Sequence, residues 1–149
     1  MSCNNMVKLL KVRENALVPS RATSGSAGLD LYACIDEDIV LEPGESRMVP
    51  TGIAISLPEN LAAFIFSRSG LAVKHGISLC NTVGVVDSDY RGEVCVALYN
   101  YGKNAYKVEV NERIAQMVIM PVCNFEFELT DRLDETERNK KGFGSTGRK

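Results

Sequence analysis

The amino-acid sequence predicts an all-β domain with one short helix. Two observations carry that reading. The apolar stretches are short, rich in Val and Ile and closed off by Gly, Pro, Asn or Asp, and only one segment has helical character. The chain has 149 residues, a length that suits one domain around a single core.

Taken in order, the first strand is expected over 6–10 and the second over 28–33, where Leu29 and Leu31 flank Asp30. A third over 39–41 ends at Glu42-Pro43-Gly44-Glu45, a type II turn with Pro and Gly at its two central positions. One long strand over 47–57 runs into a second turn, Leu57-Pro58-Glu59-Asn60, and the next strand covers 62–66. The helix follows over 69–74, two turns at most, with Gly76 to stop it. Strands over 77–79, 82–86 and 93–100 come next. In the last of these, Val94, Val96 and Leu98 face one way and Cys95, Ala97 and Tyr99 the other. Both faces are apolar, so this strand should be buried between sheets or at a subunit contact. Asn100-Tyr101-Gly102-Lys103 reads as a hairpin connection to a strand over 106–110, and strands over 113–122 and 125–129 complete the set. From Asn139 onward the periodicity is lost, as in a mobile tail.

Composition narrows the function classes. A hydrophobic share of 45% and a charged share of 24% are those of a globular protein, and no apolar run reaches the roughly 20 residues that span a bilayer. The start of the chain lacks the pattern of a secretory signal, so a cytoplasmic location is expected. The five cysteines are odd in number and widely spaced, as reduced residues are, and one histidine leaves no scope for a His-rich metal centre. A net charge of −2 argues against a general nucleic-acid binder. Residues 1–136 hold 12 of the 17 basic and 18 of the 19 acidic side chains, which leaves a basic end on an acidic body. That distribution suits a small anionic ligand, or else a merely solvated tail.

Several segments have chemical potential, each beside a plainer reading. Ser67-Arg68-Ser69-Gly70-Leu71 joins a strand to the helix N-terminus, a geometry that binds phosphate through unpaired N–H groups; it equally describes an N-cap serine with a surface arginine. Asp87-Ser88-Asp89-Tyr90 follows a buried-looking strand. It is either an Asx-rich turn or a firmly held general base, Asp87, beside the flat ring of Tyr90. Asp30 faces solvent or a cavity, Arg113 is open to a structural ion pair, and Gln116 to an edge position. Gly142-Phe143-Gly144-Ser145-Thr146-Gly147 places an aromatic ring between glycines, as in a disordered end or a lid in which Phe143 stacks on a ligand and Arg138 reaches its charge.

Together and in this order, five segments resemble the five motifs of the trimeric dUTPases: Ala27-Gly28-Leu29-Asp30-Leu31, Arg68-Ser69-Gly70-Leu71, Gly84-Val85-Val86-Asp87-Ser88-Asp89-Tyr90-Arg91-Gly92, Arg113-Ile114-Ala115-Gln116 and 142–147. The resemblance spans 17–147. It implies a jelly-roll-like β-barrel of the β-clip type over 1–136, a lid over 137–149, and a homotrimer with sites at subunit interfaces. The implied reaction is Mg²⁺-dependent hydrolysis of dUTP to dUMP and pyrophosphate, which limits uracil in DNA and supplies dUMP for thymidylate. Residue by residue, it assigns Asp87 to the attacking water and the 3′-OH, and Tyr90 to the deoxyribose face. Asn81 and the backbone of Val83, Gly84 and Val86 fall to the uracil edge. Arg68, Ser69, Gly70 and Gln116 fall to the phosphates, and Asp30 to Mg²⁺ through water. Arg138 and Phe143, with Gly144 and Ser145, fall to the γ-phosphate and the cover on uracil. Two departures from the family pattern stand out: Ser67, where proline is common, and Asn139-Lys140-Lys141 in place of a glycine-rich stretch. A dCTP deaminase of the same fold and a non-catalytic nucleotide-binding trimer are the competing readings. No nucleic-acid or membrane partner is expected.

Overall fold

A computed structural model describes residues 6–136 and 139–140 of the chain. Eleven strands and one helix follow one another as β1 (Lys8–Lys11), β2 (Leu29–Tyr32), β3 (Ile39–Leu41), β4 (Ser46–Pro50), β5 (Ile53–Ser56), β6 (Leu61–Ser67), α1 (Ser69–His75), β7 (Ile77–Leu79), β8 (Gly84–Val86), β9 (Cys95–Asn100), β10 (Tyr106–Val108) and β11 (Arg113–Pro121) among the described residues. They pair antiparallel into a four-stranded sheet, β2-β11-β6-β8, a three-stranded sheet, β4-β9-β7, and the ribbons β1-β5 and β10-β3. The all-β expectation with one short helix is met.

Alternation builds the core. Val94, Val96 and Leu98 lie buried with Val49 of β4 and with Ile77 and Leu79 of β7, and Ile65 of β6 stands opposite Met117 of β11, with Ala63 and Ala115 in the same core. In β11 the register shifts between Arg113 and Ala115, a bulge that buries Ile114 and Ala115 in succession.

The long strand expected over 47–57 is two strands, β4 and β5, in different sheets. Gly52 breaks it at φ 72°, a conformation that favours glycine. A Cβ there would also lie 2.6 Å from Ala16 and 2.8 Å from Cys34 Sγ, so the glycine lets the N-terminal segment dock. Across this corner Thr51 N–H donates to Val94 O at 3.2 Å and Val94 N–H to Ile53 O at 2.8 Å. The Glu42-Pro43-Gly44-Glu45 turn forms as expected, with Gly44 at φ 80° and Glu45 N–H donating to Glu42 O at 2.9 Å.

The hairpin expected at 100–103 is not a hairpin, and the Asp87 turn does not form one either. β9 and β10 belong to different sheets, and so do β8 and β9, so 100–103 and the Asp87 turn are crossings between sheets. Tertiary bonds in place of a strand pair hold the first crossing. The buried Asn100 amide donates to Leu41 O and to Asn104 O, each at 2.9 Å, and Gly102 N–H donates to Asn100 Oδ1 at 2.8 Å. An unpaired buried group costs about 1–3 kcal/mol, so this amide ties β9 to the end of β3 firmly.

The strand expected over 125–129 is absent. Beyond the bond from Val122 N–H to Asn60 O at 3.0 Å the segment finds no strand partner among the described residues, and Phe125, Phe127 and Leu129 are 72%, 92% and 100% exposed. The outward face of β9 is likewise open: Cys95 is exposed and Ala97 half-buried, beside exposed Met48 on β4. No helix among the described residues is long and apolar enough to cross a membrane.

Candidate active site

The site residues gather in two clefts. The first, about 540 Å³, has Asp30 of β2, Gln116 and Val118 of β11 and Phe66 of β6 as its floor. The loop 26–28 and Arg68-Ser69-Gly70 form its walls. The β2-β11-β6 register explains the floor, because Asp30, Gln116 and Phe66 are cross-strand neighbours and point to one face.

Asp30 faces this cleft with its side chain 13% exposed, 3.3 Å from Arg68 Nε and 3.3 Å from Arg113 Nη1. Two guanidiniums around one carboxylate leave the cleft with net positive charge. Arg113 is therefore the ion-pair partner anticipated, and Arg68 Nη1 donates to Arg113 O at 3.0 Å, which binds the helix entry to β11. Gln116 lies on a central strand, not an edge, because β11 runs between β2 and β6. Its Nε2 donates to Ser67 O at 3.0 Å. Gly28 makes room for it: a Cβ there would stand 2.8 Å from Gln116 Oε1.

The N-cap serine reading fails. Arg68 holds the N-cap position with no side-chain cap bond and is half-buried, while Ser67 Oγ accepts Leu79 N–H at 2.9 Å and bonds Ser78 Oγ at 2.7 Å. Helix α1 buries only Leu71, stops at Gly76 at φ 71°, and leaves Ser69 and Gly70 exposed at the cleft wall. In the loop opposite, Arg21 Nη1 donates to Ala27 O at 2.8 Å and also to Ser26 O.

The second cleft, about 420 Å³, is lined by Asn81, Gly84, Val85, Val86, Asp87, Tyr90 and Glu93, with Met48, Cys95 and Ala97 from β4 and β9. β8 is an edge strand, so one side of its backbone carries N–H and C=O groups with no strand partner among the described residues. Thr82 precedes it at φ 63°, which is strained for a β-branched residue. Val83 does not line the cleft, and its N–H is spent on Asn81 O at 2.6 Å.

Asp87 leaves the end of β8 exposed and accepts Tyr90 N–H on its own carbonyl at 3.2 Å. Arg91 Nη1 braces the turn by donating to Ser88 O at 2.7 Å and Tyr90 O at 2.9 Å. Sequence reasoning missed Glu93 and Arg13, which form a two-bond pair at 2.7 and 3.1 Å. An acid opening an otherwise apolar strand was the available signal for Glu93; Arg13 offered none. The hydrogen bond from Arg13 holds the Glu93 carboxyl below its ordinary range against the opposing effect of burial. The pair's contribution is thus present above the ordinary carboxylate pKa and lost as pH falls through the lowered one.

The two clefts share no lining residue. The first lies on the face of the four-stranded sheet that carries Asp30, Gln116 and Phe66, and the second runs along the free β8 edge of the same sheet, where Gly84, Val85 and Val86 line it. Arg138, Phe143, Gly144 and Ser145 lie outside the described residues.

The family model described as dUTPase matches residues 14–147. The deoxyuridine 5'-triphosphate nucleotidohydrolase of Hahella chejuensis is 52% identical over 147 residues, covering 95% of this chain and 97% of its own. That of Desulfitobacterium hafniense is 51% identical over 144 residues, with 95% of each covered. Among solved structures, the dUTPase of Staphylococcus bacteriophage 80alpha with dUPNHPP superposes with a TM-score of 0.87 at 29% identity, covering 96% of this chain and 99% of its own. A mutant dUTPase of phage phi11 of S. aureus, described for its coordination of a structural Mg(II) ion, gives a TM-score of 0.78 at 25% identity over 86% of this chain and 98% of its own. The fold shared with these structures is the jelly-roll-like β-clip expected from the sequence.

Proposed function

The chain belongs to the dUTPase family and is a dUTP diphosphatase, and from that premise we propose that its two clefts are the two halves of one nucleotide site, joined when copies of the chain associate. The observation that carries this reading is the placement of the clefts, one on a face and one along the free edge of a single sheet, with no residue in common. A single nucleotide that meets Asp87 and Tyr90 on one copy then meets Arg68, Ser69, Gly70, Gln116 and Asp30 on the next. The open face of β9 and the exposed 125–129 segment favour the homotrimer, with a mass of about 49 kDa for three copies of 16.3 kDa.

In the uracil half, the free edge of β8 offers alternating donors and acceptors to the base, with Gly84 and Val86 supplying backbone and Asn81 a side-chain amide. Cytosine, with its donor and acceptor exchanged, would leave that edge unpaired. Tyr90 lies under the sugar at C2′, where a ribose hydroxyl would clash. In the phosphate half, Arg68 and the exposed N–H groups at Ser69 and Gly70 hold the anionic chain, and Gln116 orients it.

The donor set also fits the metal of this family. Among the described residues no three His, Cys, Asp or Glu side chains gather, and Asp30 is already held by two guanidiniums. Asp30 is the residue that would hold Mg²⁺, through water, beside the bound triphosphate. When bound, Mg²⁺ would supply charge neutralisation on the triphosphate oxygens. Asp87 takes the proton of a water that attacks the α-phosphorus. The new P–O bond forms as the bond to the β-phosphate oxygen breaks, and pyrophosphate leaves with dUMP the product. Arg138 and Phe143, with Gly144 and Ser145, act from the 137–149 segment as a lid on the γ-phosphate and uracil. Hydrolysis of dUTP keeps uracil out of DNA and supplies dUMP. The free cysteines among the described residues, Cys34, Cys80, Cys95 and Cys123, fit a reducing cytoplasm.

The test is pyrophosphate release from dUTP, dCTP, dTTP and UTP, with Mg²⁺ and with chelator, on material of known mass. Turnover of dUTP alone, lost on chelation, by a particle near 49 kDa is expected. Equal turnover of UTP, or full activity in a monomer, would contradict the reading.

A further inference from the structure

We propose that Arg13 and Glu93 are positioning residues for sugar selectivity, acting through Tyr90. The inference rests on the reading that the Tyr90 ring packs at C2′, and it adds two residues that lie outside all five motifs. Tyr90 is 46% exposed as a residue, so core packing does little to fix it. What fixes it is the chain that follows. A Cβ on Gly92 would stand 2.3 Å from the Tyr90 hydroxyl and 2.6 Å from Cζ, so the ring lies directly across that glycine. The hydroxyl then donates to Glu93 O at 3.1 Å. The position of the ring tip is thus the position of the Glu93 backbone.

Glu93 is itself clamped from outside the turn. Arg13 Nε donates to Glu93 Oε1 at 2.7 Å and Arg13 Nη2 to Glu93 Oε2 at 3.1 Å, the two-pronged geometry that fixes orientation as well as charge. Gly52 N–H donates to the same Oε1 at 2.8 Å. Gly52 O accepts Val12 N–H at 2.8 Å and Arg13 N–H at 3.3 Å, so the clamp closes on itself. The result is a rigid path from the N-terminal segment and the β4-β5 corner to the one side chain that meets C2′. Loosening it lets the ring retreat, which weakens the fit to deoxyribose and admits the 2′-hydroxyl.

The experiment measures kcat and KM for dUTP and UTP in wild type, Arg13→Ala, Arg13→Lys, Glu93→Gln, Tyr90→Phe, Tyr90→Ala and the double variant Arg13→Ala with Tyr90→Phe, each with its melting temperature and mass. Arg13→Ala should narrow the dUTP over UTP ratio of kcat/KM by about tenfold, chiefly through a raised KM for dUTP and a lowered KM for UTP. Arg13→Lys should fall between, because a single ammonium keeps the charge and loses the fork. Tyr90→Phe removes only the hydroxyl bond and should narrow the ratio similarly, and the double variant should add little to either single change. A purely structural role would slow both substrates alike with the ratio unchanged. If Tyr90→Ala moves the ratio while Arg13→Ala and Arg13→Lys do not, the clamp is wrong and the sugar reading survives. If Tyr90→Ala leaves the ratio unmoved, the sugar reading falls and this proposal falls with it.

Discussion

Asp87→Asn is expected to bind dUTP within a modest factor of wild type and to lower kcat by at least about 10². Asparagine keeps the shape of the side chain, and with it the proposed reach to the 3′-OH, but it does not accept a proton at neutral pH. Fold and assembly should be untouched, because Asp87 is exposed in the chain and its structural bond, from Tyr90 N–H at 3.2 Å, ends on its backbone carbonyl. Single-turnover rates with excess enzyme separate the loss of chemistry from any loss of binding. Near wild-type turnover would remove Asp87 from the proton transfer and return the segment to the plain Asx turn.

Arg68→Ala is expected to lower kcat/KM by about 10², mostly through KM, because it removes a charged donor from the triphosphate. A second consequence follows from the ion pairs. Asp30, only 13% exposed, keeps Arg113 at 3.3 Å but loses Arg68, and the cleft's excess positive charge disappears with it. Melting temperature should change little, since Arg68 buries no carboxylate completely. The measurement is the affinity of a non-hydrolysable dUTP analogue against that of deoxyuridine. The triphosphate should lose affinity and the nucleoside should not.

The sequence yields unequal amounts of this account. Short β-branched runs and Gly or Pro punctuation located nearly all strands, and Ile39–Leu41 and Ile77–Leu79 match the expected bounds. Those signals are local. The partition of strands into sheets is not, so the break at Gly52 and the crossings at Asn100 and Asp87 were hidden. Gly52 looks like any glycine until Ala16 and Cys34 press on it from distant segments. The 125–129 pattern alternates as a strand does, yet the pattern says nothing about whether a partner edge is within reach in the same chain. For the site, Asp30 was ambiguous because Leu29 and Leu31 show only that it points away from them; the two arginines that claim it lie far along the chain. Arg13 was invisible, since a lone arginine near the N-terminus has no pattern of its own.

The central claim is that each site is assembled from two copies of the chain, and mixing two variants that are each impaired in kcat/KM tests it most directly. In the proposed homotrimer, Asp87→Asn would remove the base and Arg68→Ala the phosphate grip. Co-expressed in equal amounts, the two chains form mixed trimers in which some sites take Asp87 from one chain and Arg68 from its neighbour, both intact. With random assembly about one site in four is whole, so kcat/KM per site, read at dUTP well below KM, should return to about a quarter of wild type. The same variants mixed as preformed, non-exchanging trimers serve as the control and should keep the deficit of about 10² in kcat/KM. If the mixed trimers, verified by mass, show no more activity than the two homotrimers averaged, the halves belong to one chain and the assembled-site account is wrong.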